Sequence, residues 1–237
     1  MPRNFIQPLS TEWFKARSGR FTASNFGKLM PTPKDKGERW SVAALNYINE
    51  KARERIAGGN RKPLTSKPVK WGTRMEASAL KAFEKIVGVE LSPCGFITHP
   101  KIGEAGATPD GLILDDSGKE IALVEVKCPY NPKIHLNYYN RIKSASDLKK
   151  VAFYYYWQVQ GAMWVYDIDL CYFVSFDSRR LDEKRLLVVE IPRNEKDVTL
   201  LESTLTAAIS QRDELLQSIR QKEGQQLKLN LFQRFFK

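Results

Sequence analysis

Hydrophobic positions along the chain change period several times, and each change marks an expected element. Residues 10–17 and 22–30 read as two short helices that meet at Gly19, the second capped by Thr22. Residues 40–56 place Val42, Leu45, Ile48 and Ala52 at helical spacing, and Gly58-Gly59 ends the run. Residues 75–87 form an amphipathic helix on Met75, Ala79, Phe83 and Ile86, with Glu76 beside that face rather than opposite it. The basic, polar stretches 31–39 and 60–70 predict loops.

Strands are expected near 90–92, 96–98, 112–114 and 121–127, an antiparallel meander after the helices. Residues 131–146 read as an irregular basic loop. From 148 to 166 the chain is apolar almost throughout yet holds Gln158 and Gln160, the pattern of a largely buried helix. Two further strands, 170–176 and 186–191, and a long helix from about 195 to 221 complete the order. The tail LKLNLFQRFFK is basic and apolar, open to packing on its own chain, a neighbour or a partner.

The strand at 121–127 carries the chemistry. Side chains alternate faces along a strand, so Glu125 and Lys127 point with Leu123 while Val124 and Val126 face the other side. Residues 112–114 read as the hairpin partner across the turn Asp115-Asp116-Ser117-Gly118, which carries Asp110 to the outer end. Two carboxylates and an ammonium then converge. Such a group serves as a salt bridge at a sheet edge or as a divalent-metal site, since Asp and Glu oxygens are the hard ligands Mg²⁺ prefers. A lysine there holds or deprotonates an attacking water, or offsets phosphate charge, and a bound cation would lower its pKa.

At 237 residues, with no Pro/Gly/Ser-rich linker, the chain suits a single domain. Its expected parts are a basic helical segment 1–87, a metal-site core 88–192, and a C-terminal helix and tail 193–237. The net charge of +11 is unevenly placed: residues 1–85 hold 18 Lys/Arg against 7 Asp/Glu, whereas the remainder holds 20 of each. A segment lying along a polyanion needs that asymmetry, because each neutralised phosphate releases counterions. Cys94, Cys128 and Cys171 lack CxxC spacing, which argues against disulfides and structural zinc. His99 and His135 have no spaced partner, which argues against HNH or zinc-hydrolase chemistry. Nothing at the N-terminus resembles a signal segment and no stretch approaches a membrane span, so the expected location is the cytoplasm with no membrane contact.

Pro109-Asp110, fourteen residues, then Glu125-Val126-Lys127, with Glu76 on a helix before and Gln158 on a helix after, resembles the PD-(D/E)xK nuclease pattern in full order. The segments Trp13-x3-Arg17-x-Gly19 with Thr22-Ala23-Ser24, Trp71-Gly72 leading to Glu76, Thr108-Pro109-Asp110-Gly111, Val124 to Pro129, and Gln158-Val159-Gln160 with Met163-Trp164-Val165 resemble more closely the phage lambda exonuclease and YqaJ-like viral recombinase family. That resemblance implies an α/β fold with a restriction-endonuclease-like core, a mixed central sheet flanked by helices. It implies that Glu76, Asp110, Glu125 and the Val126 carbonyl hold metal, with Lys127 as catalytic lysine. It further implies that Arg17, Ser24, Thr108 and Gln158 hold the terminal 5′-phosphate or nearby backbone. The implied cofactor is Mg²⁺, as two ions, with Mn²⁺ able to substitute. The implied partners are double-stranded DNA ends, two further copies in a ring-shaped homotrimer, and a single-strand annealing protein.

The expected function is a Mg²⁺-dependent 5′→3′ exonuclease on duplex DNA that leaves 3′ single strands for annealing. An end-independent endonuclease on the same core, and a non-catalytic DNA-binding protein, are the alternatives. The intact Asp110, Glu125 and Lys127 speak against the last.

Overall fold

The computed structural model describes residues 5–58 and 66–235, with side chains described as far as residue 222. Helix α1 (Thr11–Arg17) starts where Ser10 Oγ accepts the Trp13 N–H. A tight turn through Gly19, at φ +70°, leads to β1 (Phe21–Thr22) and the single turn α2 (Ala23–Phe26). The predicted 22–30 helix is therefore shorter, and Thr22 stands at its cap position without a side-chain cap bond.

Helix α3 (Val42–Ile56) buries half of the predicted stripe, Ile48 and Ala52, and not the other half. Ala44, Tyr47, Ile48, Lys51 and Ala52 are inside, while Val42 is 75% and Leu45 38% exposed. That face also takes in a lysine, which an apolar count skips: Lys51 Nζ donates to Glu54 Oε2 at 2.8 Å, and this pairing offsets the cost of taking the ammonium out of water. Helix α4 (Lys67–Val87) begins eight residues before the predicted start, with Pro68 in its first turn, so the C-terminal end of the 60–70 stretch is helical. The rest of that stretch up to 65 lies outside the described residues. Ala79 and Phe83 are buried as expected, but Ile86 is exposed.

Two sheets follow. The smaller joins β1, β3 (Ala105–Ala107) and β2 (Ile97–Thr98), with β1 and β3 parallel and β2 antiparallel to β3. The larger runs β4 (Gly111–Leu114), β5 (Glu120–Lys127), β6 (Leu170–Phe176) and β7 (Leu186–Pro192). Its β4–β5 and β6–β7 pairs are antiparallel and its β5–β6 pair parallel, the mixed sheet expected; the antiparallel meander predicted over 90–127 keeps only the β4–β5 hairpin, because β2 pairs in the smaller sheet. The strand expected at 90–92 reduces to one bridge, Ser92 to Leu112.

The predicted loop 131–146 instead holds α5 (Pro132–Arg141) and the start of α6 (Ala145–Val151), each with a side-chain cap, Asn131 and Ser144. Ala152 leaves helical geometry and divides α6 from α7 (Phe153–Tyr166). Helix α7 is buried from Tyr156 onward, and its Gly161 lets the Phe26 ring of α2 approach, a place a Cβ would occupy. Helix α8 (Glu195–Phe235) closes the chain; the packing of the tail from 227 lies outside the described side chains.

The sheet separates two apolar layers. Leu112, Leu123 and Phe173 pack with α7 and α8 residues such as Trp157, Met163, Leu201 and Leu205. Ile113, Val124, Val126 and Val174 pack under Ala79 and Phe83 of α4. The predicted alternation of β5 is thus observed: Glu125 and Lys127 share the α7 face with Leu123.

Candidate active site

Hairpin β4–β5 sets the two central acids. The Asp110 N–H donates to Val124 O at 3.0 Å, immediately before β4 begins opposite Val124 at Gly111. Among the described residues no strand pairs with β5 on this edge beyond that point, and the Val126 N–H donates instead to Asp110 Oδ2 at 2.7 Å. Backbone groups alternate sides along a strand, so the Val126 carbonyl turns to the same open edge.

Glu125 is 2% exposed, and its Oε1 accepts from Lys127 Nζ and from Gln158 Nε2, each at 2.5 Å. Gln158 is the buried amide on α7 for which the sequence demanded a partner. Lys127 Nζ also stands 4.7 Å over the Tyr155 ring, one helical turn from Gln158. Glu76 reaches the same cleft from α4, keeping an exposed edge.

The acids crowd each other. Burial, then Asp110, push the Glu125 carboxyl up to about 8 against the pull of Lys127. Loss of solvent within the cleft, then Asp110, push Glu76 up to about 7. Burial raises Asp110 as well, although Lys127 and the Val126 N–H oppose it. Burial alone would lower Lys127, but Glu125 and Asp110 outweigh it and hold the ammonium above its ordinary value.

Arg17 closes the far wall. Its Nη1 donates to Thr108 Oγ1 at 3.1 Å and its Nη2 to Ser24 Oγ at 3.3 Å, while Trp13 Nε1 donates to the same Thr108 oxygen at 3.1 Å. The guanidinium lies 4.1 Å from the Trp13 ring centroid, which fixes its plane. Arg17, Ser24, Glu76, Thr108, Asp110, Glu125, Lys127 and Gln158 all line one open cleft of about 740 Å³.

The donor set is oxygen only, and three acids with raised pKa values face a single ammonium. Such crowded acids, which hold their protons for want of a counter-charge, fit a hard divalent cation that takes the protons' place. Among the described residues no group of three His, Cys, Asp or Glu side chains is arranged to hold an ion as it stands. Glu125 and Asp110 turn oxygens to Lys127, Gln158 and the Val126 N–H instead.

The sequence profile of the YqaJ-like viral recombinase domain matches residues 12–169. The chain belongs to that family. Among solved structures it is similar to an alkaline exonuclease, LHK-Exo from Laribacter hongkongensis, at 25% identity and a TM-score of 0.77, covering 91% of this chain and 99% of that one. LHK-Exo in complex with dAMP gives 26% identity and a TM-score of 0.78 over the same shares. A phage-related exonuclease from Haemophilus somnus 129PT, at 19% identity and a TM-score of 0.68 over 84% of this chain and 96% of that one, supports the fold. No curated protein matches the chain. These likenesses bear out the α/β, restriction-endonuclease-like core with a mixed sheet flanked by helices.

In this YqaJ-like chain the cleft also takes in side chains that motif reading passed over: Thr73, Ala77, Leu80, Lys81 and Glu84 of α4, and Cys94. Thr73, Leu80 and Glu84 stand three, four and eight residues from Glu76, so projecting the helix from Glu76 would have found them. Cys94 Sγ donates to Pro109 O at 3.2 Å and steadies the peptide before Asp110; burial, then Asp110, push its thiol up to about 12. Nothing in its spacing announced that role.

Proposed function

We propose that the protein is a Mg²⁺-dependent 5′→3′ exonuclease on double-stranded DNA, a single exonuclease domain over residues 1–237. The observation that carries the reading is the gathering of eight motif residues from separate segments into one cleft, with the acids at its floor and Arg17 at its far wall. The exonuclease relatives, one holding a mononucleotide, support removal of nucleotides from an end.

Glu76, Asp110, Glu125 and the Val126 carbonyl would hold two Mg²⁺ ions, with Mn²⁺ able to substitute. Bound there, the metal supplies a more acidic water and charge neutralisation at the phosphoryl and leaving oxygens. Lys127 Nζ, 2.5 Å from Glu125 Oε1, holds the attacking water or a phosphoryl oxygen against that carboxylate. Gln158 fixes the direction of Glu125 through its amide. Arg17, Ser24 and Thr108 form a fork of donors suited to a terminal 5′-phosphate, and this sets the register of the scissile bond.

By the same reading the product is a 3′ single strand passed to an annealing protein, the working form is a homotrimeric ring, and the protein acts in the cytoplasm. Among the described residues no helix is long and apolar enough to cross a membrane.

The test is the time course of a linear duplex labelled at one 5′ end, with and without Mg²⁺, beside a closed circle. Early release of the label as mononucleotide, only with metal and only from the linear duplex, is expected. Cleavage of circles would replace the reading with an endonuclease; no cleavage of either would leave a DNA-binding protein.

A further inference from the structure

Helix α4 carries more charge than its Glu76 needs. Lys67, Lys70, Arg74, Lys81 and Lys85 are all exposed. At 3.6 residues per turn they fall within about 60° of one another, and at 1.5 Å per residue they span about 27 Å of helix. Among the described residues none of the five forms an ion pair. The cleft-lining positions Thr73, Glu76, Leu80 and Glu84 lie about 90° round the helix on one side, and Lys81 belongs to both the ridge and the cleft lining. The basic ridge therefore borders the cleft, and α4 is fixed to the sheet through Ala79 and Phe83.

On the other side of the ridge stands an aromatic pair. The Trp71 and Tyr130 rings meet edge to face at 6.1 Å, and Tyr130 is 49% exposed. Its turn is held rigidly. Arg179 pairs through Nε and Nη2 with Asp177, which is almost fully buried, and spends its other N–H groups on the Tyr130 carbonyl at 2.9 Å and the Pro129 carbonyl at 3.3 Å. The same guanidinium lies 4.7 Å over Trp71, and Arg74 reaches that ring at 5.2 Å. Neither the core nor the cleft chemistry requires a half-exposed tyrosine on so firmly anchored a turn.

We propose that the α4 ridge and the Tyr130 turn form a track, beside the cleft, for the single strand of DNA that digestion leaves unpaired. The proposal rests on the nuclease reading and names where the unpaired strand lies. A line of cations without ion pairs matches a phosphodiester backbone, and a rigid aromatic beside it offers a stacking face. Paired bases in a duplex interior present no free face, so the combination selects an unpaired strand.

The test is binding of a fluorescent dT₂₀ with a 5′-hydroxyl end, in EDTA, over a salt series, beside a hairpin-capped duplex that has no ends. Lys70→Gln with Lys85→Gln should lower the salt slope for dT₂₀ by about 1.4, at about 0.7 per neutralised phosphate. Tyr130→Ala should weaken dT₂₀ about tenfold, as loss of one stacked base does, while Tyr130→Phe keeps wild-type binding. The capped duplex should not respond to either tyrosine variant. An unchanged slope, equal effects of Tyr130→Ala and Tyr130→Phe, or equal losses on the duplex would overturn the track. Because no metal is present, these results stand apart from cleavage: an inactive wild type that still shows them would sink the nuclease reading and leave the track.

Discussion

Arg212 lies beyond the residues that match the family profile, yet it reaches back to the wall that holds Arg17. It is 3% exposed, and its Nη1 donates to Gly19 O at 2.8 Å and to Glu104 Oε2 at 2.7 Å. Gly19 is held from the other side too: its N–H donates to Glu54 Oε2 at 2.8 Å, and a Cβ there would stand 2.6 Å from Arg55 Cδ. Glu104, which Arg55 also binds, begins the segment that runs through β3 to Thr108. Arg212→Met keeps much of the side-chain volume and removes the bonds. A charged, buried donor to a carbonyl is worth about 1.5–3 kcal/mol. The ion pairs with Glu104 and Asp213 together add at most about 1 kcal/mol, because those side chains are 34% and 49% exposed and solvent screens them. A total near 3 kcal/mol lowers Tm by roughly 6 to 12 °C for a chain of this size. The loss should depend on acid. Burial pushes the Glu104 carboxyl up, but Arg212 and Arg55 outweigh it and hold the group below its ordinary 4.5. A lowered carboxyl adds stability above the unfolded value and loses it as pH falls through the folded one. The gap between wild type and Arg212→Met should therefore be full at neutral pH and narrow below 4.5. Calorimetry of both proteins across pH measures it. A gap under 1 °C at pH 7, or one that ignores acid, would refute the account of this clamp.

Other expectations concern the cleft. Arg17→Ala should slow digestion of 5′-phosphorylated duplex about 10- to 100-fold and leave 5′-hydroxyl duplex nearly unchanged; an unchanged ratio of initial rates would make Arg17 a helix-end residue only. Lys127→Ala should cut turnover on the order of 10² or more with modest change in DNA affinity, and equal losses in both would make it a phosphate anchor. Metal binding must displace protons from Glu76 and Glu125, so Mg²⁺ affinity should rise as pH passes about 7 and about 8 and then level off; titration calorimetry showing a flat profile would contradict the crowding of these acids. The same raised groups make the metal-free protein lose stability as pH climbs through those values, so Mg²⁺ should add more to Tm at pH 9 than at pH 6.

The residues of the cleft were more legible in the sequence than the elements that deliver them. Hydrophobic spacing found Ile48 and Ala52 of the inner face of α3 but not Lys51, which is buried by its pairing with Glu54 and which no apolar count credits. It mistook 131–146 for a loop because Asn131, Pro132 and Ser144 are turn formers that also cap helices; here they do the second. Strands β1 and β3 have two and three residues, too few to show a period, and Ala105-Gly106-Ala107 carries no strand-forming side chain. By contrast, Glu125 and Lys127 announce themselves by chemical type within an apolar run of β5, and Asp110 by its place after Pro109 at the start of the hairpin.

Gln158 joins the two kinds of signal. An amide in a helix that is apolar on all sides must find a partner or carry the full cost of its burial. It finds Glu125, the one carboxylate that β5 aims at α7, and Leu123 and Phe173 pack the same face around that meeting. One bond thus satisfies the helix and directs the acid. Because Lys127 Nζ shares that same oxygen, a metal ion at Glu125 has to draw on the other oxygen or displace one of the two donors. Gln158→Leu should therefore leave the fold nearly as stable, since both the amide and its desolvation cost are removed together. It should free Glu125 to swing toward Lys127 alone and weaken Mg²⁺ affinity while changing DNA affinity little. A large fall in Tm with unchanged metal affinity would show that Gln158 serves α7 rather than the acid.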